Sequence, residues 1–281
     1  FDQSPISGKN LKLTLDIDLQ QYGEMLMANK IGAVVAIEPS TGEILAMVAS
    51  PTYDPSILIG RQRGKNYMAL QSDPNKPLFN RAIMAAYPSG STFKVAQGLV
   101  LQEEQIITPS TAYPCSMGFY SGSFRLGCHA HPSPLQLAAS VAHSCNAYYC
   151  YGLKAMLDNR KKYGSYAEAL DKWRDLMVLQ GFGYTLGIDL PGEKRGLIPN
   201  SNFYDKIYGQ RRWNAVTLIS IAIGQGEVLA TPLQIANFCA TIANRGWYVT
   251  PHLVREIEND TIPQQYRQRK STTINPAYYA P

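Results

Sequence analysis

The sequence predicts a mixed α/β fold, and three stretches carry that expectation. Two apolar runs, Gly32 to Ile37 and Ile44 to Ala49, flank the polar, glycine-containing Glu38-Pro39-Ser40-Thr41-Gly42-Glu43, the pattern of an antiparallel hairpin. After Ser91, Val95 with Leu99 and Ala96 with Val100 recur at i, i+4 spacing, which predicts an amphipathic helix to about Gln102. Ser133-Pro134-Leu135-Gln136 offers Ser as N-cap, Pro at N1 and Gln at N3, so a capping box is expected to open a helix reading to about His143.

The rest of the chain fits around these elements. Leu11, Leu13 and Leu15 alternate with polar residues, and Asp16 to Asp18 leads into a helical pattern at Leu19, Tyr22, Met25 and Leu26. Pro51 to Arg81 is polar and rich in Pro and Gly, which predicts a loop-dominated approach to Ser91. Beyond Ser144-Cys145-Asn146, a second helical pattern runs through Tyr148, Tyr149, Leu153 and Leu157, with Tyr148, Tyr149 and Tyr151 read as core and rim aromatics. Gly181-x-Gly183-x-x-x-Gly187 is one residue off the dinucleotide fingerprint and lacks a following helix, so it reads as a loop.

Composition excludes several classes. With 281 residues, 45% of them apolar and 17% charged, the chain can bury a large core in one big domain or two small ones and is not of the disordered class. The net charge of +5 is spread out with no basic stripe, so no nucleic-acid partner is expected. No stretch of about 18 apolar residues is present, so no membrane crossing is expected of this chain by itself. The start at Phe1 suggests an excised piece.

Ser91 and Lys94 are the candidate nucleophile and base. They lie one turn apart on one side of the predicted helix. A serine hydroxyl needs a base within hydrogen-bond reach, and a buried amine of lowered proton affinity can serve. The helix N-terminus adds partial positive charge, which favours an alkoxide on Ser91. Ser-x-x-Lys tetrads also occur on solvated helix faces. Ser144 and Asn146 are two apart, so they can serve one site only from a turn between helices; Ser and Asn are equally the usual capping residues. The four histidines offer no Ser-His-Asp arrangement.

Ser91-x-x-Lys94 and Ser144-x-Asn146, in that order after the hairpin, resemble the penicillin-binding proteins and serine β-lactamases. Gly181-Phe182-Gly183-Tyr184 with Gly187-Ile188-Asp189-Leu190-Pro191-Gly192-Glu193, and Ile223-Gly224-Gln225-Gly226-Glu227 with Thr231-Pro232-Leu233-Gln234-Ile235-Ala236, narrow the likeness to class B penicillin-binding proteins of the elongation type. Ile242-Ala243-Asn244-Arg245-Gly246 and Pro251-His252-Leu253-Val254 continue it. The resemblance implies a penicillin-binding transpeptidase or serine β-lactamase-like fold: an antiparallel sheet flanked by helices plus an all-helical lobe.

It also implies D,D-transpeptidation of peptidoglycan stem peptides ending in D-Ala-D-Ala, with β-lactam antibiotics as mimics and no cofactor. Ser91 would be the nucleophile, Lys94 its base, Ser144 a proton relay and Asn146 a holder of Lys94 and substrate. Partners would be an elongation glycosyltransferase and scaffold proteins at the periplasmic face of a bacterial inner membrane, reached through an N-terminal anchor. A β-lactamase or β-lactam sensor, and a non-catalytic scaffold of the elongation machinery, are the alternatives. The family's third motif, Lys-Thr-Gly, is not found: Lys270-Ser271-Thr272 lacks the glycine and sits in the polar run Gln264 to Thr273 rather than on an apolar strand. Truncation is therefore expected before that motif and ahead of Phe1, with anchor and pedestal absent.

Of the five cysteines, Cys115 and Cys128 lie near His129 and His131 in a Gly- and Ser-rich stretch. A disulfide, suited to the oxidising compartment the resemblance implies, is favoured over a zinc site built from Cys115, Cys128 and His131, which lacks a fourth ligand.

Overall fold

The computed structural model describes residues 7–280; Phe1 and Pro281, the ends on which truncation is expected, lie outside the described residues. In chain order the elements are β1 (Leu11–Leu13), α1 (Ile17–Leu26), β2 (Gly32–Ile37), β3 (Ile44–Ser50), α2 (Arg63–Ser72), α3 (Arg81–Met84) and α4 (Phe93–Glu103). Next come β4 (Gly118–Ser121), β5 (Phe124–Gly127), α5 (Leu137–Ala142), α6 (Asn146–Asp158), α7 (Arg160–Tyr163) and α8 (Tyr166–Leu179). The chain continues through α9 (Ser201–Tyr208), α10 (Pro232–Ala243), β6 (Trp247–Val249), β7 (Val254–Ile257) and β8 (Arg269–Ser271). Strands pair as β1 with β7, β2 with β3, β4 with β5 and β6 with β8. No helix among the described residues is long and apolar enough to cross a membrane.

The chain divides into two compact units. The first takes the residues up to Ala85 with Leu186–Lys194 and Thr231–Lys270. Its centre is the predicted hairpin, in antiparallel register from Gly32 opposite Ser50 to Ile37 opposite Ile44. Burial along β3 alternates, with Ile44, Ala46, Val48 and Ser50 inward, as a strand with one packed face requires. Gly42 closes the loop at φ +78°, and a Cβ there would stand 2.8 Å from the Val249 carbonyl oxygen, so only glycine fits. Ile44, Ala82, Ile83, Leu186, Ile188, Leu233 and Tyr248 form the apolar core.

Two carboxylates explain the Gly187 to Glu193 motif. Glu193 accepts from the N–H groups of Leu186, Gly187 and Ile188 at 2.6, 2.9 and 3.3 Å. Asp189 accepts from Leu253 at 2.9 Å and from Val254 at 2.8 Å. They satisfy loop donors that no ladder reaches.

One expectation fails in this unit. The stretch from Pro51 to Arg81 contains α2, whose polar sequence buries none of its residues and so carries no apolar period to read. The polar run around Lys270 forms a strand: Arg269–Ser271 pairs with β6, and Lys270 lies over the Tyr248 ring at 5.8 Å with Nζ 3.4 Å from Leu186 O.

The second unit comprises Ala86–Thr185, Arg195–Ala230 and Ser271–Pro281. It is mainly helical but not wholly so, because it carries the β4–β5 hairpin. Helix α4 is its axis and is not amphipathic as expected: Phe93, Lys94, Ala96 and the run from Gln97 to Gln102 are all buried. Phe93 meets Trp173 and Phe182 edge-on at 6.3 and 5.4 Å, and Trp173 Nε1 donates to Gln97 Oε1 at 2.7 Å. The expected capping box at Ser133 is absent. Ser133 Oγ accepts from Cys115 N–H at 2.9 Å and Leu135 pairs with Tyr113, so the chain stays extended and α5 starts at Leu137. The same Thr/Ser-Pro-Leu-Gln signature is satisfied instead at Thr231 to Gln234, the N-terminus of α10.

Candidate active site

All four candidate catalytic residues lie in the second unit. Gly90–Thr92 forms one 3₁₀ turn that runs straight into α4, which leaves Ser91 exposed and buries Lys94 three residues later at 2% exposure. The turn is held from behind by Gly224, at φ +67° after the 3₁₀ segment Ile219–Ile223. Gly224 O accepts from Gly90 N–H at 2.9 Å. A Cβ at 224 would stand 2.5 Å from Gly90 O and 2.6 Å from both Phe93 Cβ and Ser89 Oγ, so this contact requires glycine. Thr92 Oγ1 donates to Ser89 O at 2.8 Å and tightens the turn.

Lys94 Nζ donates to Ser144 O at 2.6 Å, Ser144 Oγ at 3.0 Å and Asn146 Oδ1 at 2.6 Å. Burial pushes its pKa below the ordinary 10.5, against a smaller opposing pull from the thiols of Cys128, Cys145 and Cys150. Ser144 and Asn146 reach one amine because the backbone turns between them. Ser144 adopts φ +48°, Cys145 is extended as the N-cap of α6, and Asn146 opens that helix. The turn required by their spacing is therefore present.

The β4–β5 hairpin fixes Asn146. Its Nδ2 donates to Gly127 O at 2.9 Å and its backbone N–H to Cys128 Sγ at 3.3 Å. Cys145 Sγ accepts from Tyr148 N–H at 3.4 Å, so two sulfurs serve the first turn of α6.

These sulfurs belong to a cluster. Cys115, Cys128, His131 and Cys145 place their ligand atoms all within 4.8 Å of one another. Cys115 and Cys128 are free thiols, not the disulfide favoured from sequence. Cys145, brought in by the turn at Ser144, adds a fourth donor atom to the three expected from sequence. Cys128 Sγ lies 3.5 Å from His131 Nε2, and His131 Nδ1 donates to Pro132 O at 2.7 Å, which leaves Nε2 for a ligand. His129 turns instead to His143 O at 2.7 Å.

Three thiols and an imidazole are the donor set of a tetrahedral zinc site, in which Zn–S bonds of about 2.3 Å put sulfurs roughly 3.8 Å apart. Burial pushes the Cys145 thiol up to about 12. Burial also raises Cys128, but the Asn146 N–H, His131 and Cys115 outweigh it and hold that thiol below its ordinary value.

The chain is similar to several known proteins along nearly its whole length. A family model described as the penicillin binding protein transpeptidase domain matches residues 32–279. The peptidoglycan D,D-transpeptidase MrdA of Acinetobacter baumannii is 34% identical over 257 residues, covering 90% of this chain and 36% of that protein, so the chain spans little more than a third of that relative. The crystal structure of Pseudomonas aeruginosa PBP2 in complex with WCK 5153 superposes with a TM-score of 0.84 at 29% identity, over 98% of this chain and 58% of that one. Penicillin-binding protein A from M. tuberculosis, as its penicillin G acyl-enzyme complex, gives a TM-score of 0.76 at 26% identity, over 97% and 61%. The chain belongs to the penicillin-binding protein transpeptidase family.

Proposed function

We propose that the chain performs the acyl-transfer chemistry of a peptidoglycan D,D-transpeptidase that cross-links stem peptides during cell elongation. Ser91 attacks the carbonyl of a D-Ala-D-Ala terminus as Lys94 takes its proton. The terminal D-alanine leaves with a proton delivered through Ser144, and an amine on a neighbouring stem resolves the ester. Asn146 holds Lys94 and the substrate amide, and the Ser91 N–H is one donor to the oxyanion. β-Lactams, mimics of D-Ala-D-Ala, acylate the same serine. Likeness to MrdA supports placing the parent protein at the periplasmic face of the inner membrane, with elongation partners.

The observation that carries this reading is the setting of Lys94: an amine buried at 2% exposure, with three oxygen acceptors within 3.0 Å, one turn after an exposed serine. A buried amine is neutral at lower pH than a solvated one, and a neutral, positioned amine can accept a hydroxyl proton. We further propose that Cys115, Cys128, His131 and Cys145 hold a zinc ion. It would supply no catalytic step, only a fixed junction between the hairpin and the start of α6.

The test is covalent labelling by penicillin, read by intact mass. Ser91→Ala is expected to abolish the adduct. An adduct of unchanged yield on that variant would reject Ser91 as the nucleophile.

A further inference from the structure

We propose that Cys115 with Cys128 is an oxidation site that controls acyl transfer: exchange with a small-molecule disulfide bonds the two sulfurs, expels the metal and loosens Asn146 from Lys94. The inference rests on the roles of Ser91, Lys94 and Asn146 proposed above.

A cysteine pair in the cluster can be zinc ligands or a disulfide, but not both. Thiolates on one zinc stay roughly 3.8 Å apart, whereas a disulfide draws two sulfurs to about 2.05 Å, so the two occupants of the cluster exclude each other. Cys128 is the point of entry, because it is partly exposed while Cys115 and Cys145 are buried. Cys115 is the resolving partner for a reason of topology. It lies just before β4, and Cys128 just after β5, where Cys128 N–H donates to Met117 O at 3.0 Å and continues the pairing of Gly118 with Gly127. The two cysteines therefore flank the base of one hairpin. Cys145 is buried and lies off that hairpin, as the N-cap of α6.

The exchange balances without further reagents. The Cys128 thiolate attacks one sulfur of RSSR and releases RS⁻; the Cys115 thiolate then attacks the Cys128 sulfur and releases the second RS⁻. Two thiolates are oxidised by two electrons, RSSR is reduced to two thiolates, and the zinc ion, left with Cys145 and His131, departs.

The consequence passes through named contacts. Asn146 is held by Cys128 Sγ at its N–H and by Gly127 O at its side-chain amide, both at the hairpin end that the new bond pulls. Asn146 Oδ1 is in turn an acceptor for Lys94. Groups that orient a reacting residue in this way are commonly worth about 10–100-fold in activity.

The experiment uses the zinc-loaded, reduced chain treated with oxidised glutathione, in a Cys239→Ser background that removes an exposed thiol. Expected together are loss of mass by two hydrogens, release of one zinc to a chromophoric chelator, a peptide map joining Cys115 to Cys128, and slowing of fluorescent-penicillin labelling by about tenfold or more. Dithiothreitol with zinc restores the rate. A Cys115 to Cys128 bond with an unchanged labelling rate overturns the proposal, as does zinc retained with no bond formed, or a bond that uses Cys145. If the reduced chain is not labelled at all, the transpeptidase reading fails, while the exchange is still decided by mass and metal release.

Discussion

Lys94 Nζ and Asn146 Oδ1 lie 2.6 Å apart, and the amide nitrogen of that Asn146 donates to Gly127 O. The asparagine therefore has a fixed amide orientation: its nitrogen is committed to the hairpin and its oxygen faces the amine. Lys94 is positioned by a backbone loop through one rigid intermediary.

Replacing Asn146 by Ala should slow penicillin acylation by about 10–100-fold, because a hydrogen bond to a charged group is worth roughly 1.5–3 kcal/mol. Acylation kinetics on the folded variant measure it. A rate within a factor of about two of the parent, well under 1 kcal/mol, would remove Asn146 from the machinery.

The pH profile of acylation should report Lys94. Its pKa is lowered from 10.5 by burial, so the neutral base accumulates below the pH at which an ordinary lysine titrates. The rate should rise with pH, with its acid-limb midpoint below 10.5. The sign for stability follows. The folded state binds fewer protons than the unfolded one between the lowered pKa and 10.5, so this group's contribution grows as pH rises through that window and is lost below it. A midpoint at or above the ordinary lysine value would disqualify Lys94 as the base.

Gly224→Ala tests the support behind the nucleophile. The added Cβ would come 2.5 Å from Gly90 O, and the turn bearing Ser91 must shift to admit it. A misplacement of about 1 Å can cost about 10²-fold in rate. The acylation rate constant should fall while the concentration dependence of the reaction changes little. Full activity in the variant would show that the turn holds itself.

Asp189→Asn should destabilise the first unit. The carboxylate accepts from two successive N–H groups, Leu253 and Val254, and an amide nitrogen turned toward either would face a donor. Hydrogen bonds to a charged group are worth about 1.5–3 kcal/mol each, so a fall in Tm of several degrees is expected. An unaltered melting curve would place the weight of this loop on Glu193 alone.

Zinc should bind the reduced chain at one ion per molecule and raise its Tm, since a ligand bound only by the folded state stabilises it. Cys145→Ser should lose the ion. Elemental analysis and calorimetry decide, and a chain that takes up no zinc with all its thiols reduced would leave the cluster as a thiol network.

What the sequence alone determined is local. The spacing of Ser91 and Lys94 on one turn, the limits of β2 and β3, and the need for a bend between Ser144 and Asn146 follow from helix and strand periods that extend over a few residues. The tertiary structure decided the rest. Lys94 finds its acceptors at 50 and 52 positions' remove, and no local pattern encodes which turn will arrive there. Ser133 looked like a helix cap by its neighbours, but Cys115 claimed its hydroxyl, and the helix began later. Helix α4 read as two-sided because a period cannot tell a face in water from a face against another helix. Cys145 became a candidate ligand only because the bend that aims Ser144 at Lys94 also carries the cysteine beside Cys115, Cys128 and His131. Such convergences depend on burial and chain closure across the whole unit, which is why composition and spacing could name the thiols but not assemble them.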